Sequence, residues 1–144
     1  MTYNIISGSK DNSIKDISIL MKDNNIGFIP IKDDNEFIGV ITDRDICLAL
    51  PTINNVNDSI KSYITNNIIY IDVNSDIDAA LKTMGTNKVK RLLVKEKDNT
   101  IGVLSLSDIL NYTNNENIIN TCKTIFYIHD NKSDYIAEID EFYL

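Results

Sequence analysis

Most of the usual chemical devices are missing from this sequence, and each absence narrows what the chain can do. Its one histidine, His129, sits in a polar stretch near the end, so a surface role is expected for it rather than catalysis. The two cysteines, Cys47 and Cys122, lie far apart and form no Cys-x-x-Cys pair; reduced thiols are expected, with Cys47 acting as a small apolar residue on a helix. No P-loop, GxGxxG or GxSxG pattern occurs. Cations are scarce: 14 Lys and Arg stand against 21 Asp and Glu, a net charge of −7, which disfavours nucleic acid and anionic membranes as general partners. There is no apolar run long enough to span a bilayer, and the polar start Met1-Thr2-Tyr3-Asn4 lacks the basic and apolar parts of a leader, so a cytoplasmic protein is expected. What the chain does have is 43% hydrophobic residues over 144 positions, enough to bury one core or two small packed halves.

It also has a repeat. Gly39-Val40-Ile41-Thr42-Asp43-Arg44-Asp45-Ile46 returns as Gly102-Val103-Leu104-Ser105-Leu106-Ser107-Asp108-Ile109, and every matched pair is 63 positions apart. The same offset pairs Ile14 with Ile77, Met21 with Met84 and Ile31 with Val94. A gapless offset through so many positions argues for a duplicated unit. Each copy reads as a short apolar strand running into a helix. Thr42 and Ser105 are natural N-caps, with Asp45 and Asp108 at N3, close to a capping box. The spacing by itself requires nothing more than a helix start. A second reading of the same geometry is a ligand site, in which the helix start faces phosphate and the carboxylate, which would repel phosphate, accepts hydrogen bonds from sugar hydroxyls instead.

Along the chain, residues 3–7 read as a strand and 8–12 as a turn. Ser13 caps a helix with Ile14, Ile17, Leu20 and Met21 on one face, ended by Asn24, Asn25 and Gly27. Residues 28–32 and 37–41 form a hairpin, and a helix runs over 43–50 to Pro51. After a polar linker at 52–57 and a helical turn at 59–64, the order repeats. A strand covers 68–71. Asp76 caps a helix with Ile77, Ala80, Leu81 and Met84 inward, a hairpin spans 91–104, and a helix covers 106–113. The expected fold is α+β: two β-α-β-β-α units, 1–55 and 56–113, too small to stand alone and therefore packed on each other. Residues 114–144 lie outside the repeat. Ile118, Ile119, Cys122, Ile125 and Phe126 give 116–127 one apolar face, so a final helix is expected there; the acidic tail 131–144 carries Tyr135, Ile136, Ile139, Phe142, Tyr143 and Leu144, more apolar groups than a disordered tail needs, so it is expected to dock.

Two patterns are set aside. Asp72-Val73-Asn74-Ser75-Asp76-Ile77-Asp78 alternates like a calcium loop, but Ile77 and Thr83 stand where the loop needs Gly and Glu, and Asp76 is explained as a cap. Asp43 and Asp45 could pair on a metal, but no further ligand has supporting spacing. No metal site and no cofactor are expected.

Lys90-Arg91-Leu92-Leu93-Val94, a turn, then Ile101-Gly102-Val103-Leu104-Ser105-Leu106-Ser107-Asp108-Ile109 resembles the cystathionine-β-synthase-type (CBS) motif. Phe28-Ile29-Pro30-Ile31, a turn, then Ile38-Gly39-Val40-Ile41-Thr42-Asp43-Arg44-Asp45-Ile46 resembles it equally, so the likeness covers about residues 1–113 in two copies. The resemblance implies two motifs packed about a pseudo-two-fold axis, with clefts that often bind AMP, ADP, ATP or S-adenosylmethionine. It implies a non-catalytic sensor. Carried onto this chain, Thr42 and Ser105 lie near phosphate, Asp45 and Asp108 hold ribose, and Arg91 with Lys90 meets phosphate. Arg44 is a further phosphate contact, in the copy that has Gly27 and Phe28 where the other has Lys90 and Arg91. Ile5, Ile68, Ile29 and Leu92 would sandwich the base. Such modules commonly dimerise; here Ile46, Cys47, Leu48, Leu50, Ile109, Leu110 and Tyr112 on the closing helices predict a homodimer. The alternative is a ligand-free adaptor that binds a partner protein through the dimer face or the tail.

Overall fold

The computed structural model describes residues 1–112 and Ile118. Among them the order is β1 (Gly8–Ser9), α1 (Ile14–Asn24), β2 (Phe28–Asp33), β3 (Glu36–Thr42), α2 (Asp43–Ala49), a 3-10 turn (Ile60–Tyr63), β4 (Tyr70–Asp72), α3 (Ile77–Asn87), β5 (Arg91–Glu96), β6 (Asn99–Ser105) and α4 (Leu106–Tyr112). The strands form two three-stranded sheets, β1-β2-β3 and β4-β5-β6. In each the outer pair is parallel and the hairpin pair antiparallel.

The sequence offset carries through to backbone geometry. Phe28 pairs with Thr42 as Arg91 pairs with Ser105, and the hairpins shift register between Ile31 and Lys32 and between Val94 and Lys95. Ser13 caps α1 in a full capping box with Asp16, and Asp76 caps α3. Such caps stabilise a helix by about 1 kcal/mol each. Both helices end on a left-handed residue, Asn25 at φ 51° and Lys88 at φ 57°. Asn adopts this conformation readily; Lys does so at a cost.

What joins the halves is a crossed pairing. Thr65, which leads into the second copy, exchanges two 2.9 Å hydrogen bonds with Val40 of the first, and Thr2, which leads into the first copy, does the same with Val103 of the second. The crossing explains two glycines. A Cβ on Gly39 would stand 2.7 Å from the Thr65 carbonyl oxygen, and one on Gly102 would stand 2.9 Å from that of Thr2. Each copy keeps its own core. Ile17, Ile29, Ile31, Ile41 and Ile60 are fully buried in the first, and Ala80, Leu81, Met84, Leu92, Ile109 and Ile118 form the second. Among the described residues no helix is long and apolar enough to cross a membrane.

Several expectations need correction. Residues 3–7 are not a strand; the segment crosses from Val103 to β2, and only Gly8 and Ser9 reach Ile31 and Lys32. For the matching reason Ile68 and Ile69 precede β4 instead of opening it. Ile77, expected to face inward, is exposed, and so is Cys47. The expected helix at 116–127 and the docked tail 131–144 lie outside the described residues, Ile118 apart.

Two candidate ligand clefts

Because the lead-ins cross, each cleft between the halves combines the helix start of one copy with the lead-in of the other. The first, of about 390 Å³, sets Thr42, Arg44 and Asp45 opposite Asn67, Ile68 and Ile69, with Lys88, Lys90 and Arg91 along its side. The second, of about 260 Å³, sets Ser105, Ser107 and Asp108 opposite Asn4, Ile5 and Ile6. Phe28 and Arg91 line both. They hold equivalent positions in the repeat, and the Arg91 guanidinium lies 5.6 Å from the centre of the Phe28 ring. The pseudo-two-fold axis therefore passes between them.

At each helix start one carboxylate oxygen is occupied by capping. Asp45 Oδ2 accepts from Thr42 N at 2.8 Å and from Thr42 Oγ1 at 2.7 Å; Asp108 Oδ2 accepts from Ser105 N at 2.8 Å and from Ser105 Oγ at 2.6 Å. The other oxygen, Oδ1, remains for the cleft, although at Asp108 the Met1 ammonium stands 3.7 Å from it. Cap and ligand contact are thus compatible in a single side chain. The helices behind these caps have only seven residues each, so the positive potential of the clefts comes mainly from side-chain cations.

Charge separates the clefts. Where the first has Arg44, Lys88 and Lys90, the second has the repeat equivalents Ser107, Asn25 and Gly27. Among the described residues the first cleft sets four cations, counting Arg91, against the carboxylates Asp43 and Asp45, while the second sets Arg91 and the nearby Met1 ammonium against Asp108. Lys90 and Arg91 sit in the second copy's sequence, but the fold delivers Lys90 to the cleft of Thr42. Ile5 and Ile68 do line the clefts, whereas Ile29 and Leu92 are fully buried in the cores and cannot sandwich a base. Sequence reasoning missed Lys88, Asn67 and Asn4; the alignment of Lys88 with Asn25 in the repeat was the available signal.

A family model described as CBS domain matches residues 1–52 and 60–115. The chain belongs to the CBS domain family. Its CBS pair is 25% identical over 118 residues to the CBS domain-containing protein YhcV of Bacillus subtilis, covering 81% of this chain and 84% of that one. In fold it is similar to the CBS domain protein TA0289 of Thermoplasma acidophilum, with a TM-score of 0.74 at 19% identity over 86% of this chain and 72% of that one. It is also similar to the CBS domain pair of protein MJ0100, in complex with 5′-methylthioadenosine and S-adenosyl-L-methionine, with a TM-score of 0.67 at 23% identity over 76% of this chain and 92% of that one.

The Ser105–Asp108 cap makes one pH prediction for this CBS pair. Burial pushes the Asp108 carboxyl up, but hydrogen bonds from the Ser105 hydroxyl and backbone, with the Met1 ammonium, outweigh it and hold the group below its ordinary value of 3.8. A depressed carboxylate contributes stability above the unfolded value of about 4 and loses it as pH falls through the lower folded value. Asp108→Asn is therefore expected to flatten the loss of stability below about pH 4. Urea unfolding at a series of acid pH values checks this, and an unchanged slope refutes it.

Proposed function

We propose that this protein is a non-catalytic regulatory module that senses an adenosine-containing ligand, AMP, ADP, ATP or S-adenosylmethionine, in the clefts between its two CBS motifs, with a phosphorylated nucleotide in the cleft of Thr42. The excess of cations in that cleft carries the reading. Asp45 Oδ1 accepts from ribose hydroxyls, Ile68 packs on the base, and Arg91, Lys90 and Arg44 take the phosphates. Lys88 supports the same view, since its left-handed backbone would suit Asn better and the residue lines this cleft. In the second cleft Ser105 and Asp108 repeat the capping geometry of Thr42 and Asp45 with two cations, Arg91 and the Met1 ammonium, the latter held against Asp108, which suits a ligand with little or no phosphate. The adenosyl ligands of the MJ0100 CBS pair favour this ligand class.

A thermal-shift series tests it. At a hundredfold excess over Kd a bound ligand stabilises by about 2.7 kcal/mol, and phosphorylated nucleotides are expected to shift the midpoint more than S-adenosylmethionine. No shift with any of the four at millimolar concentration would sink the proposal and favour a ligand-free adaptor that binds a partner protein.

The same module is proposed to act as a homodimer. Leu48 on α2, Leu50 at its C-cap and Leu110 on α4 are 64%, 58% and 45% exposed, an apolar face that a second copy would cover with two-fold symmetry. Ile109 is buried in the core and does not contribute. Sedimentation is expected to give a dimer at micromolar concentration; a monomer refutes it.

A further inference from the structure

β2 and β5 begin at Phe28 and Arg91, beside the pseudo-two-fold axis, and near their far ends stand Lys32 and Lys95, again 63 positions apart. Both lysines line one pocket of about 380 Å³, nearly the volume of the first cleft, and none of its described residues belongs to either cleft. Asn35 with Asp98, Glu36 with Asn99 and Phe37 with Thr100 are further equivalent pairs in its wall, and Tyr70 lines it too. A pocket walled by equivalent pairs lies on the axis that relates them.

Its two ammonium groups are steadied without being neutralised. Lys32 Nζ lies 4.7 Å from the centre of the Phe37 ring, and Lys95 Nζ lies 4.0 Å from that of Tyr70. All four residues are half-buried. Among the described residues neither ammonium forms an ion pair, although Glu36 and Asp98 line the same pocket and Lys10 and Lys61 are paired with Asp33 and Asp11. The duplication does not account for the second lysine–ring pair. Thr100 stands in the place of Phe37 and Ser7 in the place of Tyr70, so Lys95 finds its ring on β4 where Lys32 finds its own on β3. A ring face attracts an ammonium but leaves its charge in place, and two like charges lining one pocket favour an anion between them.

We propose that this axial pocket binds a small organic carboxylate, with the carboxylate shared by Lys32 and Lys95 and the apolar body against Phe37 and Tyr70. Glu36 and Asp98 balance the two lysines, which disfavours a polyanion and sets this pocket apart from the cation-rich first cleft. The same two carboxylates accept a ligand that also carries an ammonium, so a plain carboxylic acid and a free amino acid are two sources of one chemistry.

NMR titration of the full chain with sodium benzoate tests the proposal. Benzoate is expected to shift the ε-methylene signals of Lys32 and Lys95 and the ring signals of Tyr70 saturably, and to leave the Ile5 and Ile68 methyls of the two clefts unmoved. Lys32→Gln and Lys95→Gln, which keep most of the side-chain length, are each expected to weaken benzoate binding by about tenfold or more. Inorganic phosphate at the same ionic strength is expected to give no saturable shift. The proposal is overturned by any of four results: no saturable shift with benzoate, shifts confined to the cleft methyls, parent-like binding by both Gln variants, or phosphate binding as tight as benzoate's. L-Phenylalanine then identifies the source. Binding tighter than benzoate's supports a free amino acid, and weaker binding supports a plain carboxylic acid.

Discussion

Arg91→Ala is expected to weaken adenine-nucleotide binding by about tenfold to a hundredfold, because a charge-assisted contact to phosphate contributes about 1.5–3 kcal/mol. The guanidinium offers a planar fork that matches phosphate bidentately, which an ammonium cannot do. Position strengthens the expectation. Arg91 lies beside the pseudo-two-fold axis and lines both clefts, so its loss should be felt wherever a phosphate binds. Phe28→Ala should cost less, since the ring steadies the guanidinium from 5.6 Å but offers phosphate nothing, and such cation–π contacts contribute about 0.5–1 kcal/mol at exposed sites. Calorimetric titration of Arg91→Ala, Phe28→Ala and Arg44→Ala with AMP and ATP decides it. If Arg91→Ala binds like the parent while Arg44→Ala loses the nucleotide, phosphate is read from α2 and not from the axis.

Ile60→Ala is expected to destabilise the protein by about 2–5 kcal/mol, a large part of the stability of a small domain. Ile60 is fully buried although it lies in the segment between the repeats, and its backbone N–H donates to the Asn12 carbonyl at 3.2 Å. Truncation leaves a cavity beneath α1 and loosens the crossing segment that carries Thr65 to Val40 and Ile68 to the first cleft. Val56→Ala, in the same segment but half exposed, should stay within about 0.5 kcal/mol. Urea midpoints of the two variants give the comparison; equal values would mean that the linker does not belong to the first core.

These expectations rest on features that differ in how far they could be read from residues alone. The offset of 63 positions was legible at once, because a duplicated β-α-β-β-α unit repeats its apolar and capping positions in order. Thr42 with Asp45 and Ser105 with Asp108 were legible too, since capping is a contact over three residues and needs no tertiary information. The strand boundaries near residues 3–7 and 68–71 were not legible. An apolar run of that length can pair, cross or line a cleft, and only its partners decide which.

By itself, then, the sequence determined what is local: the repeat, the caps, the hairpins and the α+β class, all of them set by contacts within a few residues or by periodicity. Only the tertiary structure decided what is shared between the halves. It crossed the lead-ins, and Lys90 lines the cleft of Thr42 and not that of Ser105. It placed Arg91 against Phe28 on the axis and sent Ile29 and Leu92 into the cores. It also left Ile77 exposed where its counterpart Ile14 is covered. The physical reason is the same in each case. Which cleft a cation enters depends on the pairing of Thr2 with Val103 and of Thr65 with Val40, and those contacts span about a hundred positions in one half and 25 in the other.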